Sequence, residues 1–525
     1  MLHSIVVECA GNSIGMKARR PNVLIVTTDQ QRADSLSCYG ATFTATPNID
    51  RLAREGLLCE RAYCTNPVCT PARASLFSGQ YISRHGAWNV GTSVPSDTVM
   101  LSHRLAALGY RTHYVGKAHF QPHGVPPQAS ARAHSLETLY QWKKRFPAFR
   151  GPYYGFETVE LSLGHTNYGL AGHYGAWLLT QVSEKELDAL NRCEPLSPYD
   201  FQGTAWDWHL PVRLHNSVWT ADRAIAFLRA HPSDQPFFLA VGFQDPHHPH
   251  CVPLDFVDRV LPEDVPPPRY QDGELDDKPP HFRLAREGRL EGSPFRGAFK
   301  IAGEGTGADF RRVAERDARL GRAYYYTMVR LIDREFGRIL CCLDELGLAD
   351  NTIVIFTSDH GELLGDHGLW LKGPFHYEEL VRIPLLVRWP AGFPQGRKIA
   401  GLISHVDLVP TVLAALRQPL PQNLDGVDAG PMLRGETAAT REAVFIECVD
   451  DPRKLRLKTV VTLDRKLTYY HAQSFGELYD LARDPAEVVN RWTEREYASD
   501  KERLLTRLLD HMEYLERREP RISYA

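Results

Sequence analysis

No apolar run in the sequence approaches the roughly 20 residues needed to cross a bilayer, so no membrane-spanning segment is expected. Neither sign of charge is in excess. With 61 Lys and Arg against 64 Asp and Glu, the formal net charge is -3, and the electropositive field that nucleic-acid binding usually requires is missing. The ten cysteines show no CxxC pair and no framework spacing, and the adjacent Cys341 and Cys342 fall within a helical pattern. That usage fits a reducing compartment, and the cytoplasm is expected. Near the N-terminus the apolar patch at 5–10 is interrupted by Glu8 and has no basic stretch before it, so it does not read as a secretion signal. Internal repeats are also lacking.

What is present describes a globular protein with many loops. Hydrophobic residues make up 43%, charged residues 24%, and 39 Gly and 36 Pro punctuate the chain. A length of 525 residues exceeds what one ordinary core requires, which predicts a large domain carrying a smaller one. The expected division is an N-terminal extension over 1–20, a large α/β domain over 21–433 and a C-terminal α+β subdomain over 434–525.

The first two thirds alternate β-rich runs with amphipathic helical patterns, as in a mostly parallel sheet covered by helices on both faces. Strands are expected at 22–27 (NVLIVT), 111–115, 237–243, 352–356 and 384–389, and long helices at 217–230 and 318–346. Thr46 and Pro47 suit the cap and first turn of a helix that Gly56 ends. Two stretches, 121–216 and 261–307, break the alternation and are expected to be irregular loops around the substrate entrance. Beyond 434, short strands at 444–448, 455–462 and 466–471 precede a charged helix from about 485 to 517, giving a small antiparallel sheet with a terminal helix.

Polar clusters fall just after predicted strands or at a helix start: Asp29, Cys69, Lys117 with His119, His247, and Asp359 with His360. Ligands bind at the carboxyl ends of strands in open α/β sheets, so these clusters point to one shared site. In TNPVCTPARASLFSG, Thr70 can cap a helix that starts at Pro71 and ends near Gly79. Cys69 would then sit at a helix N-terminus, where anions are favoured and a thiol pKa falls, with Arg73 one turn inside.

CTPAR at 69–73 resembles the signature of the sulfatase family, within the alkaline phosphatase superfamily. The resemblance implies that Cys69 is converted by a formylglycine-generating enzyme to formylglycine, whose hydrate attacks sulfur, and that Arg73 steadies the hydrate. A geminal diol can expel sulfate by collapsing to the aldehyde, which a serine ester cannot do. NVLIVTTDQQRAD at 22–34 and IFTSDHGELLGDHG at 355–368 resemble the family's metal-binding turns. They imply metal ligands at Asp29, Gln30, Asp359 and His360 together with residue 69. Gln30 stands where many members have Asp, and His360 where many have Asn. One fewer carboxylate and an imidazole shift the preference for the single divalent ion from calcium towards manganese, magnesium or zinc.

VGKAHF at 115–120 resembles the family's GKxH element, which implies that Lys117 binds sulfate and formylglycine oxygens and that His119 assists breakdown of the sulfated hydrate. DPHHPH at 245–250 and WLKGPFHYEE at 370–379 resemble the segments that carry His247 and Lys372. That pair is implied to hold the ester's bridging oxygen and protonate the leaving group. GELYDLARDPAEVVN at 476–490 resembles the element that closes the small sheet, its acidic residues serving as turn caps.

The expected activity is hydrolysis of small-molecule sulfate monoesters. The nearest alternative is a phosphonate monoester hydrolase or phosphodiesterase, which Gln30 and His360 favour; Lys117 and His119 favour sulfate. A non-catalytic anion-binding relative would not need every turnover group present here. A phosphatase using the thiol itself lacks its glycine-rich phosphate loop around Cys69. The sequence leaves the oligomeric state open, a homo-oligomer included.

Overall fold

The computed structural model describes residues 20–125, 135–139, 142, 148–198, 203–232, 234–289, 309–451 and 455–516. The proposed N-terminal extension, save its last residue, and much of the expected 261–307 loop lie outside the described residues.

Asn22–Thr28 (NVLIVTT) is apolar nearly throughout because it is the middle of the main sheet, with a parallel neighbour on each side. In spatial order the main sheet runs Arg382–Ile383, Leu57–Tyr63, Leu385–Arg388, Thr352–Ser358, Asn22–Thr28, Phe237–Gly242, Arg111–Gly116, Thr158–His165 and Tyr168–Ala171, and Arg397–Ser404 also pairs with Leu57–Tyr63. The five strands from Thr352–Ser358 to Thr158–His165 are parallel to one another.

Successive side chains of these strands enter opposite layers. Val23, Ile25, Phe238, Ala240, Ile353 and Ile355 join one core, with Leu76, Phe77, Leu101 and Val409. Leu24, Val26, Leu239, Val241, Val354 and Phe356 join the other, against Ala224 and Phe227 of Asn216–Ala230 and Val329, Ile332 and Phe336 of Glu315–Glu345. The expected α/β sheet with helices on both faces is therefore present.

Register sets the height of the strand ends. Thr28 lies opposite Ser358, Thr27 opposite Gly242, and Gly116 opposite Gly242. Gly116 has a φ of +94°, and a Cβ there would stand 2.1 Å from the carbonyl oxygen of Gly242. Only glycine allows the chain to turn so tightly before Lys117.

The C-terminal sheet is antiparallel, in the order Val444–Asp451, Leu455–Val461, Arg465–Tyr470, Gly476–Asp480. Leu504 and Leu508 of Ala498–Leu515 pack against its Val460, Leu467 and Leu478. Its other face belongs to the main molecule, since Val444, Ile446 and Val461 lie in the core of the large sheet. Among the described residues no helix is long and apolar enough to cross a membrane.

Three expectations need correction. Among its described residues the 121–216 region is not irregular throughout: it supplies the strands Thr158–His165 and Tyr168–Ala171 to the main sheet, and Cys193–Pro195 and Ala205–Trp208 to a small sheet with His250–Pro253. Its glycines and aromatics hide the alternation because Gly164 and Gly172 adopt positive φ within or beside the strands. The terminal helix begins at Ala498, not near 485, because the preceding stretch is tied into turns. There Asp480 Oδ1 accepts from the Ala482 amide, Asp484 Oδ2 from the Val489 amide and Asn490 Oδ1 from the Leu478 amide. The helix after the signature spans Cys69–Ser78, so Cys69 is its first residue and Val68 the cap. Thr70 is already inside the helix and caps nothing, and Gly79 ends the helix at a φ of +71° as expected.

Candidate active site

Six chain segments deliver polar groups to the carboxyl edge of the main sheet. Asp29 and Gln30 follow Asn22–Thr28, Asp359 and His360 follow Thr352–Ser358, Lys117 and His119 follow Arg111–Gly116, and His247 follows Phe237–Gly242. Cys69 opens its helix after Leu57–Tyr63, and Lys372 comes from the loop beyond Asp366–Gly368. Gln30 and His119 both have left-handed backbone, with φ of 65° and 54°. Such conformations in non-glycine residues cluster where the surrounding structure imposes a geometry.

The Cys69 sulfur is the hub. Its Sγ lies 3.1 Å from Lys372 Nζ, 3.3 Å from His360 Nε2, 3.5 Å from Asp29 Oδ1 and 4.0 Å from Lys117 Nζ. All of these groups are buried. The helix N-terminus does not lower this thiol as expected. Burial and the neighbouring Asp29 carboxylate push it up to about 11, against the opposing pull of Lys117 and Lys372.

Arg73 lies between the two carboxylates. Its Nε donates to Asp359 Oδ2 at 2.8 Å, Nη2 to Asp29 Oδ2 at 3.3 Å and Nη1 to the Lys117 carbonyl at 2.8 Å. Burial alone would raise the Asp29 carboxyl, but Lys117, Arg73 and Lys372 outweigh it and hold it well below the usual range. Lys117 Nζ pairs directly with Asp29 Oδ2.

The donor set fits a divalent cation. One ligand atom each from Asp29, Cys69, Asp359 and His360 lies within 4.8 Å of the others. His360 Nδ1 is 2.9 Å from the Gly361 carbonyl and must donate to it, so Nε2, facing Cys69, carries the lone pair. Burial lowers this imidazole to about 4, which keeps it in the neutral, ligating form. Two carboxylates with one imidazole are a donor mixture for manganese, magnesium or zinc as well as calcium.

Gln30 stands beside this cluster with its side chain already engaged. Its Oε1 accepts from Lys372 Nζ at 2.8 Å, and its Nε2 meets Glu362 Oε2 and lies 2.9 Å from His248 Nδ1. Its backbone amide donates to Asp359 Oδ1 at 2.9 Å. Lys372 Nζ is also 2.8 Å from His247 Nε2, while His247 Nδ1 donates to the His248 carbonyl. His247 Nε2 is therefore the bare nitrogen, accepting from the Lys372 ammonium. Burial, with Lys372 and His248 nearby, keeps His247 neutral. His119 lies to one side of the hub, stacked on His123 with ring centres 4.1 Å apart.

Sequence reasoning missed several residues that shape the site. Glu362 lies within the IFTSDHGELLGDHG string, three residues beyond Asp359, and that spacing was the available signal. Asp245, which burial raises to about 7 and to which Ser217 Oγ donates at 2.5 Å, sits within the DPHHPH string. His165 stacks on His247 with ring centres 3.9 Å apart. It comes from the stretch read as irregular, and no signal in that stretch pointed to it.

Comparison with known proteins agrees with this geometry. Residues 21–418 match the family model Sulfatase, and residues 365–514 match the model N-sulphoglucosamine sulphohydrolase, C-terminal. The chain is 26% identical over 498 residues to an arylsulfatase of Clostridium perfringens, covering 91% of each chain. It is 31% identical over 507 residues to the multifunctional alkaline phosphatase superfamily protein PehA of Trinickia caryophylli, covering 91% of this chain and 93% of that protein. Among solved structures it resembles the phosphonate monoester hydrolase of Agrobacterium radiobacter, with a TM-score of 0.77, 27% identity and coverage of 95% and 96%. The chain belongs to the sulfatase family, within the alkaline phosphatase superfamily, and is a sulfuric ester hydrolase.

Proposed function

We propose that the protein hydrolyses sulfate monoesters of the aryl sulfate type, with formylglycine made from Cys69 as nucleophile and one divalent ion beside it. The observation that carries this reading is the convergence of Lys372, His360, Asp29 and Lys117 within 4.0 Å of the Cys69 sulfur in a buried site. Formylglycine would supply a hydrated aldehyde whose collapse releases sulfate. A divalent ion held by Asp29, Asp359, His360 and residue 69, with Gln30 at its edge, would supply positive charge against the ester oxygens.

The chain's own side chains carry the rest of the reading. Arg73 holds Asp29 and Asp359 in their relative positions and neutralises part of their charge. Lys117 and Lys372 flank residue 69 and bind the anionic ester oxygens. The proton for the leaving oxygen is kept between Lys372 Nζ and His247 Nε2, where a developing alkoxide can take it. His119, neutral because burial and the neighbouring His123 and Lys117 lower it, is available to accept a proton as the sulfated nucleophile breaks down.

Maturation by a formylglycine-generating enzyme and a cytoplasmic location belong to the same proposal. The nine cysteines among the described residues are all free thiols, which is compatible with a reducing compartment.

Gln30 and His360, with the likeness to a phosphonate monoester hydrolase, support a second reading in which phosphonate monoesters or phosphodiesters are the better substrates. Lys117 and His119 support sulfate. Comparing kcat/KM for an aryl sulfate and the matching aryl phosphonate monoester decides between them. The sulfate reading expects the larger value for the sulfate, and a larger value for the phosphonate would reverse it.

A further inference from the structure

A second set of donor groups gathers beside the site at the ends of two neighbouring strands. His119 and His123 follow Arg111–Gly116, and His165 is the last residue of the adjacent parallel strand Thr158–His165. One ring nitrogen from each of the three lies within 4.8 Å of the other two. His119 Nδ1, His123 Nδ1 and His165 Nε2 are buried with no hydrogen-bond partner among the described residues. A buried polar atom left this way costs about 1–3 kcal/mol, so three on adjoining rings are unusual without a ligand in common.

Glu137 provides the support that metal-binding imidazoles require. Its Oε2 accepts from His123 Nε2 at 3.0 Å, which leaves Nδ1 as the lone-pair nitrogen of that ring. A carboxylate behind a ligating histidine fixes its tautomer and orientation. The same buried carboxylate accepts from the backbone amides of His119 and Phe120, each at 2.8 Å, and from Tyr153 Oη at 2.5 Å. These bonds hold His119 in its left-handed backbone, so one acidic group orients two of the three rings.

The geometry points to a site for one divalent transition-metal ion of the zinc class, formed by His119, His123 and His165 and separate from the Asp29 and Asp359 cluster. An ion there would take the lone pair of His119, so a loaded site would block the proton-accepting role proposed for that ring. Three imidazoles with no carboxylate ligand disfavour calcium and magnesium and suit zinc, cobalt, nickel or copper. Metal–nitrogen bonds of about 2.1 Å in a tetrahedral site put ligand nitrogens roughly 3.4 Å apart. The widest pair here would have to close by at most about 1.4 Å, a distance that ring rotation can supply. His119 and His123 are stacked, and His165 is tilted against both with ring centres 5.9 Å away. Burial, with nearby positive groups, also keeps His119 and His165 neutral, the form that ligates. The Lys117 ammonium is the main opposing charge, and it is paired with Asp29, while Glu137 adds a negative charge behind His123.

Titrating the chelator-treated full chain with Co2+, followed by visible absorption and by bound metal after gel filtration, tests the site without any activity assay. The wild-type chain should bind an equivalent at this site beyond any taken by the other cluster. An Asp359→Ala chain should keep that equivalent and its visible band, and adding His165→Gln or His123→Gln should remove both. Circular dichroism identifies a variant that fails to fold, and the two histidines sit on different segments, so each checks the other. The site is overturned if the Asp359→Ala chain binds no Co2+, or if the equivalent survives both histidine substitutions. If Asp359→Ala binds as much Co2+ as wild type while the histidine variants lose theirs, the first metal cluster fails and this one stands.

Discussion

Lys372 Nζ reaches the Cys69 sulfur, Gln30 Oε1 and His247 Nε2, at 3.1, 2.8 and 2.8 Å, and on the proposed reading this ammonium and His247 serve the leaving oxygen. A stable phenolate leaves with little help, whereas an alkoxide needs a proton as it departs. Lys372→Ala and His247→Ala are therefore predicted to lower kcat/KM by about 10²- to 10⁴-fold for sulfates with poor leaving groups, and by much less for activated aryl sulfates. A leaving-group series measured on both variants checks this, and an equal loss along the series would place the pair in substrate binding. At this scale the sequence was legible where a motif is local. Asp29, Cys69, Arg73, Lys117, Asp359 and His360 lie in short strings, and the structure brings them together. Glu137 and His165 were not legible, because each acts through a partner remote in sequence, His165 through His247 and Glu137 through the turn 18 residues before it; Glu362 lies inside a string that was legible, but its contact with the remote Gln30 was not.

Beside the turn proposed to bind metal, Asp366–Gly368 is pinned by buried charges. His367 contacts Glu274 through Nδ1 and lies 3.3 Å from Glu379 through Nε2. Burial alone would lower this imidazole, but Glu379 and Glu274 outweigh it and hold it at about 9, above its ordinary 6.5. A raised folded-state value means that the stabilisation is complete below pH 6.5 and is lost as pH rises through about 9. His367→Gln is predicted to cost on the order of 3 kcal/mol at about pH 6 and much less at about pH 10. Denaturant unfolding at both values measures it, and a pH-independent cost would mean that the ring contributes by packing alone. The parallel strands were legible as elements, because a strand buried on both faces reads as an unbroken apolar run. Thr158–His165 was not legible: it lies beside the edge of the sheet, and its Glu160 and Gly164 break the run.

Taken whole, the two sheets depend on each other. The Glu447 amide donates to the Thr65 carbonyl at 2.8 Å, and Asn66 Nδ2 donates to the Glu447 carbonyl at 2.6 Å. The C-terminal sheet thus holds the segment that leads into Cys69. Val444, Ile446 and Val461 meanwhile complete the main core, and losing three such side chains removes roughly 5 kcal/mol or more. A chain ending at Arg434 is predicted to be insoluble or inactive, checked by soluble yield and turnover. A soluble, active product would show that the large domain stands alone. The sequence marked a change of character near this boundary but not this dependence, since the contacts join residues nearly four hundred positions apart.

Turnover through formylglycine at residue 69 is the central claim. The most direct measurement is the aldehyde content of the peptide containing residue 69, determined by mass spectrometry in preparations converted to different extents and plotted against their rate of aryl sulfate hydrolysis. An unmodified thiol at residue 69 cannot form a geminal diol and so lacks the collapse to an aldehyde that releases sulfate. The rate is therefore predicted to rise in proportion to the aldehyde fraction and to vanish with it. A preparation without detectable aldehyde that hydrolyses sulfate as fast as a converted one would contradict the account.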